Sequence, residues 1–327
     1  MTGVSKFSKA GVFSELNNLI DITMIPQYAA MLGITQEELE KYFAEHINAV
    51  AEEMGISRGE VIKGLKEWYD GYCFSEESKR VYNPFSTMIA LQYKKFSNWW
   101  FETGTPRFLF DLIKEKDYDL TEIPAEVDSM AFSTYEVEDL EILPLLFQTG
   151  YLTITKYNEK RQSYTLDYPN KEVKQSFTKA IFKAITGRND VKGIIDGIRE
   201  KIEANDIEGM MEEIKYVLMN LPYPIREGRH RYYQSVVYLI FLLLGYEVKT
   251  EVATYRGRID VEVELNNRIY IFEVKIDGKA EEGIKQARER GYGEKYRDKE
   301  VWLIGIGINS FAKSGAEAIE WKIERWK

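Results

Sequence analysis

Apolar positions along this chain change period several times, and each change marks a different kind of element. From residue 7 to about 135 the spacing is mainly helical. In "TQEELEKYFAEHINAVAEEMG", Leu39, Tyr42, Phe43 and Ile47 fall on one face, Thr35 stands where a helix cap belongs, and Gly55 closes the run. The stretch "SRGEVIKGLKEWYDGY" repeats the scheme, with Ser57 as cap and an aromatic end at Trp68 and Tyr69. Together these predict a compact helical domain.

Between 145 and 170, "LLFQTGYLTITKYNEKRQSYTLDYPN" alternates apolar and polar residues around a turn at Asn158 to Arg161, which predicts a β-hairpin. Helical spacing returns over 171 to 220 and stops at Pro222. The prolines and glycine of "PYPIREGRH" interrupt both periods, so a joint is expected there. The expected domains are therefore 1–221 and 222–327. Beyond the joint come a helix over about 231 to 244 ending at Gly245, strands at about 246–253, 258–265 and 268–275, a helix at about 279–290, and a final apolar strand, "EVWLIGIGIN". That order is αβββαβ.

A chain of 327 residues has room for two domains. Hydrophobic residues at 44% and charged residues at 30% are the balance of a folded, water-exposed protein. Cys73 stands alone, so no internal disulfide forms and a reducing cytoplasm fits best. The N-terminus lacks the apolar run of a signal peptide. The longest apolar run, "VVYLIFLLLGYEV", falls short of the roughly 20 residues a bilayer demands, so it is expected to be a buried helix and no membrane partner is expected. A net charge of -9 argues against a whole surface that traps polyanions; nucleic-acid binding would need a local basic face.

The stretch "GRIDVEVELNNRIYIFEVK", residues 257 to 275, concentrates the candidate chemistry. Alternation sets Glu273 and Lys275 on one face of their strand and Val274 on the other. The Asn266-Asn267 turn folds the preceding strand back antiparallel, bringing Asp260 beside them. Two neighbouring carboxylates repel unless a proton or cation lies between them, and a hard divalent ion is the usual answer. Mg²⁺ held by so few carboxylates keeps waters, one of which is then available to attack a phosphodiester, with a lysine to orient it or offset charge. Any one-sided antiparallel sheet also alternates charged with apolar residues, and Glu262 and Glu264 continue that alternation.

The order Asp, apolar strand, Glu-Val-Lys within αβββαβ resembles the PD-(D/E)XK nuclease superfamily, whose signature falls on Asp260, Glu273 and Lys275. The wider text, "YYQSVVYLIFLLLGYEV", "GRIDVEVE", "IYIFEVKIDGKAEEGIKQARERGYGEKY" and "LIGIGI", is similar to the nuclease-like domain at the C-terminus of AAA-ATPase-like proteins. The resemblance adds Gln286, Gly291 and Tyr292 from the following helix. "WYDGYCF", "YNPFS", "WWFETGTPRFL" and "LFQTGYLTI" resemble, in that order, the later part of the same family's ATPase-like domain. No G-x-x-x-x-G-K-[ST] occurs, so ATP hydrolysis is not expected, and the chain begins where a longer relative's nucleotide-binding core would be ending. Many superfamily members supply a further Glu from the helix before the sheet; here the candidates are Glu227 and Gln234.

The resemblance implies an α+β protein with a helical, winged-helix-like N-terminal region and a C-terminal restriction-endonuclease-like domain around a mixed central sheet. It implies a Mg²⁺- or Mn²⁺-dependent nuclease in which Asp260 and Glu273 hold the ion, Lys275 serves the attacking water, and Gln286 and Tyr292 support the site. The alternative is a nuclease fold that binds DNA or regulates an ATPase-like assembly without cutting. Expected partners are nucleic acid, DNA by analogy, and either further copies of the chain or an ATPase. Arg229, Arg231, Lys285 and Arg288 are candidate phosphate contacts, set against the ordinary reading of arginines at a joint and of i,i+4 pairs on a solvated helix. His46 reads as solvated, and Trp99, Trp100 and Phe101 as core.

Overall fold

The computed structural model describes residues 22–77, 79–100, 112–113, 123–132, 142–221, 230–254, 257–265, 267–312 and 315–327. The chain divides into two compact units, one of residues 1–118 and 122–177 and the other of 119–121 and 178–327. The division falls inside a helix, well before the joint expected near 222. The helices between 178 and 222 thus belong to the unit that carries the large sheet.

In the first unit, α1 (Gln36–Tyr42), α2 (Ala44–Met54), α3 (Arg58–Tyr69) and α4 (Pro84–Tyr93) surround a core of Leu39, Ile47, Val61, Leu65, Tyr69 and Leu91. Thr35 and Ser57 cap α1 and α3, each in a reciprocal box with the glutamate three residues on. The single helix expected from Thr35 to Gly55 is two, broken at Phe43. The break leaves Phe43 against the core and turns Tyr42 outward, 65% exposed, contrary to the expected shared face. His46 is exposed, as read. Trp99 packs partly against the core, while Phe101 lies outside the described residues.

A short hairpin joins β1 (Tyr72–Cys73) to β2 (Arg80–Val81), and an antiparallel sheet of order β3-β5-β4 combines β3 (Ala125–Asp128), β4 (Thr153–Asn158) and β5 (Ser163–Asp167). The expected hairpin is β4–β5, but residues expected in its first strand form helix α5 (Ile142–Gln148). Ile142, Pro144, Leu145, Leu146 and Phe147 are all buried there, and a short run that is apolar all round does not by itself separate strand from helix.

The second unit is organised on a five-stranded mixed sheet. Helices α6 (Lys171–Thr186), α7 (Val191–Glu203), α8 (Ile207–Met219) and α9 (His230–Leu244) lead into β6 (Glu247–Thr254), β7 (Gly257–Leu265) and β8 (Arg268–Ile276). Helix α10 (Ala280–Glu289) then crosses to β9 (Glu300–Ile308), and α11 (Gly315–Ala318) to β10 (Ile319–Arg325). The sheet order is β10-β9-β8-β7-β6, antiparallel throughout except for the β8/β9 pair that α10 connects.

The sheet is covered on both faces. Helix α9 is buried nearly all round and lies over β6–β8, with Phe241 and Phe272 ring centroids 5.2 Å apart. Helix α10 covers β8–β10, where Ile284 and Ala287 join Ile269, Ile271, Val301 and Leu303. The run expected to span no membrane is this buried α9, and among the described residues no helix is long and apolar enough to cross one. The strand expected to be last is followed by β10. Its Glu320, Lys322 and Glu324 suit a sheet edge and hide the strand from an apolar-run reading.

Candidate active site

The site begins with register. Val261 stands opposite Phe272, which sets Asp260 across from Glu273. On β8, Val274 is buried against the α9 side, while Glu273 and Lys275 share the face over which α10 lies. Asp260 and Glu273 are 8% and 1% exposed, and the Lys275 side chain keeps 22% exposure, so the opening is on the lysine side.

A short network ties the groups together. The Val274 N–H donates to Asp260 Oδ2 at 2.8 Å, and the Asp260 N–H reaches Glu273 Oε1 at 3.3 Å. Glu273 Oε2 accepts from Lys275 Nζ at 3.3 Å and from Gln286 Nε2 at 2.5 Å. Lys275 Nζ also donates to Gln286 Oε1 at 2.9 Å, so the one carboxamide holds both partners of the ion pair. Gln286 Nε2 lies 3.4 Å from Tyr292 Oη, which donates to the Arg258 carbonyl at 2.5 Å. Asp260, Glu273, Lys275, Gln286 and Tyr292 are thus assembled in one place.

Alternation alone does not separate Asp260 from Glu262 and Glu264, but their partners do. Glu262 is bound by Lys295 at 2.7 Å and Glu264 by Lys299, both from the segment after α10. Asp260 instead faces another carboxylate. Burial first, and the charge of Asp260 second, push the Glu273 carboxyl up to about 7, against the lowering pull of Lys275. A proton or a cation relieves that repulsion. The donors are hard oxygens, which suits a divalent ion such as Mg²⁺ or Mn²⁺. Among the described residues no group of three or more His, Cys, Asp or Glu is placed to hold a metal ion, and the carboxylates that meet here are Asp260 and Glu273.

Glycines set the helix over the site. A Cβ on Gly305 would lie 2.0 Å from the Ala280 carbonyl oxygen, and one on Gly307 2.7 Å from the Ala280 nitrogen. Gly283 of α10 would in turn place a Cβ 3.0 Å from Glu273 Cβ. These bare positions let α10 lie low enough for Gln286 to reach Glu273 and Lys275. Two glycines at i and i+2 in "LIGIGI" face one side of a strand, and that spacing is the sequence signal for a close helix.

The remaining candidates are dispersed. Gln234 is buried with its amide given to the Asp260 carbonyl at 2.7 Å and Glu251 Oε1 at 3.1 Å, so it fixes the β7 backbone and has no donor left for a water. Lys285 is exposed and 3.8 Å from Glu289 one turn on. Arg288 turns to β10, bonding Glu324 and the carbonyls of Arg325 and Trp326. Glu227 and Arg229 lie outside the described residues; Arg231 is in α9 with its side chain undescribed. Arg290, passed over in the sequence for its neighbours, donates to Tyr292 Oη at 3.1 Å beside the carboxylates.

Fold and site together have the form of a nuclease-like domain, and comparison with known proteins agrees. Residues 228–319 match the family model of the PD-(D/E)XK nuclease superfamily, so a domain of that superfamily lies over α9, β6 to β9 and α10. Nucleases of that superfamily commonly use divalent metals such as Mg²⁺. Over 96% of its length the chain is also 35% identical to a curated protein of Azotobacter chroococcum mcd 1 named "Uncharacterized protein in vnfD 5'region". The chain spans 61% of that relative's length.

Proposed function

We propose that the protein is a metal-dependent nuclease hydrolysing phosphodiester bonds in DNA, with Asp260 and Glu273 holding Mg²⁺ or Mn²⁺. The observation that carries this reading is the meeting of two carboxylates with Lys275 at the open side of a superfamily-matched sheet. A divalent cation there supplies positive charge to offset that of the attacked phosphate and makes water a better nucleophile. Lys275, held between Glu273 and Gln286, presents its remaining donor capacity to the developing phosphorane charge or to the attacking water. Gln286 and Tyr292 keep it there. In the reaction a water oxygen bonds to phosphorus, the bond to the leaving oxygen breaks, and the leaving oxygen takes up a proton. DNA is assigned by analogy with the superfamily, as is a further copy or an ATPase as partner. By likeness of sequence we further read residues 1–221 as the later part of an AAA-ATPase-like domain and 222–327 as the nuclease-like domain, a division that differs from the compact units, in which 178–221 pack with the large sheet.

One observation favours a second reading, a nuclease fold that binds or regulates without cutting: among the described residues α9 offers the neutral Gln234 where a third carboxylate would stand, and both of its N–H donors are given to Glu251 and the Asp260 carbonyl. Supercoiled plasmid and linear DNA incubated with protein and Mn²⁺ separate the two. The nuclease reading predicts cleavage by the wild type and a loss of about 100-fold or more in Lys275→Ala. Binding without cleavage by both proteins overturns it in favour of the second.

A further inference from the structure

Several basic residues around the sheet are spent on acids. Lys295 serves Glu262, Lys299 Glu264, Arg268 Glu300 and Arg288 Glu324. Arg290 differs. It follows the last turn of α10, is exposed, and among the described residues has no carboxylate within ion-pair reach. Its guanidinium is nonetheless held in place: Nη1 donates to Tyr292 Oη at 3.1 Å, and that hydroxyl is anchored on the Arg258 carbonyl at 2.5 Å.

The backbone beneath makes room for it. A Cβ on Gly257, at the start of β7, would fall 2.6 Å from Arg290 Nη1, so the glycine is where the guanidinium lies across the strand. Three residues further along β7 is Asp260. The hydroxyl of Tyr292 first, then the charges of Glu273 and Asp260, hold the Arg290 cation above its ordinary range. An oriented, solvent-facing guanidinium beside two carboxylates and a lysine has the geometry for an anion that arrives from outside.

We infer that Arg290 is a substrate-binding residue whose guanidinium grips non-bridging oxygens of a nucleic-acid phosphate at the carboxylate site. This inference rests on the nuclease reading for its ligand class. A planar fork with several donors matches a phosphate in a way that a point charge does not. Tyr292 acts as the positioning residue, since its hydroxyl accepts from both Arg290 and Gln286. The site thereby gains a cation on the β7 side to complement Lys275 on β8.

The test uses the full chain, a fluorescent DNA duplex bound in Ca²⁺ over a series of salt concentrations, and cleavage of the same duplex in Mn²⁺. Arg290→Ala should weaken binding about 10-fold or more and lower the salt slope by about 0.9, the value of one phosphate contact. Arg290→Lys should restore the slope but only part of the cleavage rate. An unchanged melting temperature shows that the exposed side chain was not holding the fold. A wild type that cleaves, with Arg290→Ala equal to it in affinity and slope, overturns the inference and leaves the nuclease reading standing. A wild type that binds without cleaving, with Arg290→Ala defective in binding, overturns the nuclease reading and supports the phosphate contact. No binding by the wild type overturns both.

Discussion

Glu273 is the residue on which the site's pH behaviour turns. Its carboxyl is raised from 4.5 to about 7, chiefly by burial and then by Asp260. Between those values the folded protein holds a proton that the unfolded chain has released, so the folded state gains as pH falls through 7 toward 4.5 and bears the full cost of the buried charge above 7. Glutamine cannot ionise. In metal-free buffer, the melting temperature of Glu273→Gln relative to wild type should therefore rise from pH 5 to about pH 7 and level off above it; a difference that stays flat or falls over that range contradicts the assigned environment. Asp260, Glu273 and Lys275 were legible in the sequence because strand alternation and a two-residue turn dictate their meeting, and Gln286 and Tyr292 came from the family likeness. Arg290 was not legible. Its basic neighbours over residues 279–299 look alike in sequence, and only their partners in space tell Arg288, locked on β10, from Arg290.

At the scale of elements, the contact between α10 and β9 decides whether Gln286 reaches the carboxylates. The Ala280 carbonyl sits where a side chain on Gly305 would begin, and backbone cannot step aside as a flexible side chain can. Gly305→Ala should cost about 1–3 kcal/mol by overpacking and reduce activity by lifting Gln286 away. Urea denaturation measures the first; a variant as stable and as active as wild type would show that the close approach is not needed. The strands of the second unit and α9 were readable because their apolar runs are long and bounded by turn residues. Strand β10 was not, since its charged side chains mask a pairing that only β9 reveals. Phe43 shows the complementary failure: an apolar spacing that persists across a break conceals the break.

At the scale of the whole molecule, two units share the chain, and the superfamily match falls within the second. With a net charge of -9, the proposed attraction for a polyanion would have to come from local groups such as Lys275 and Arg290 together with a bound cation. The central claim is that Asp260 and Glu273 share one divalent ion. Titration of the metal-free protein with Mn²⁺ at pH 8, followed by the electron paramagnetic resonance of the free ion, addresses it without dependence on any substrate. The account predicts one site per chain, weakened about 10-fold or more in both Asp260→Asn and Glu273→Gln. No binding by the wild type, or binding that neither substitution changes, contradicts it.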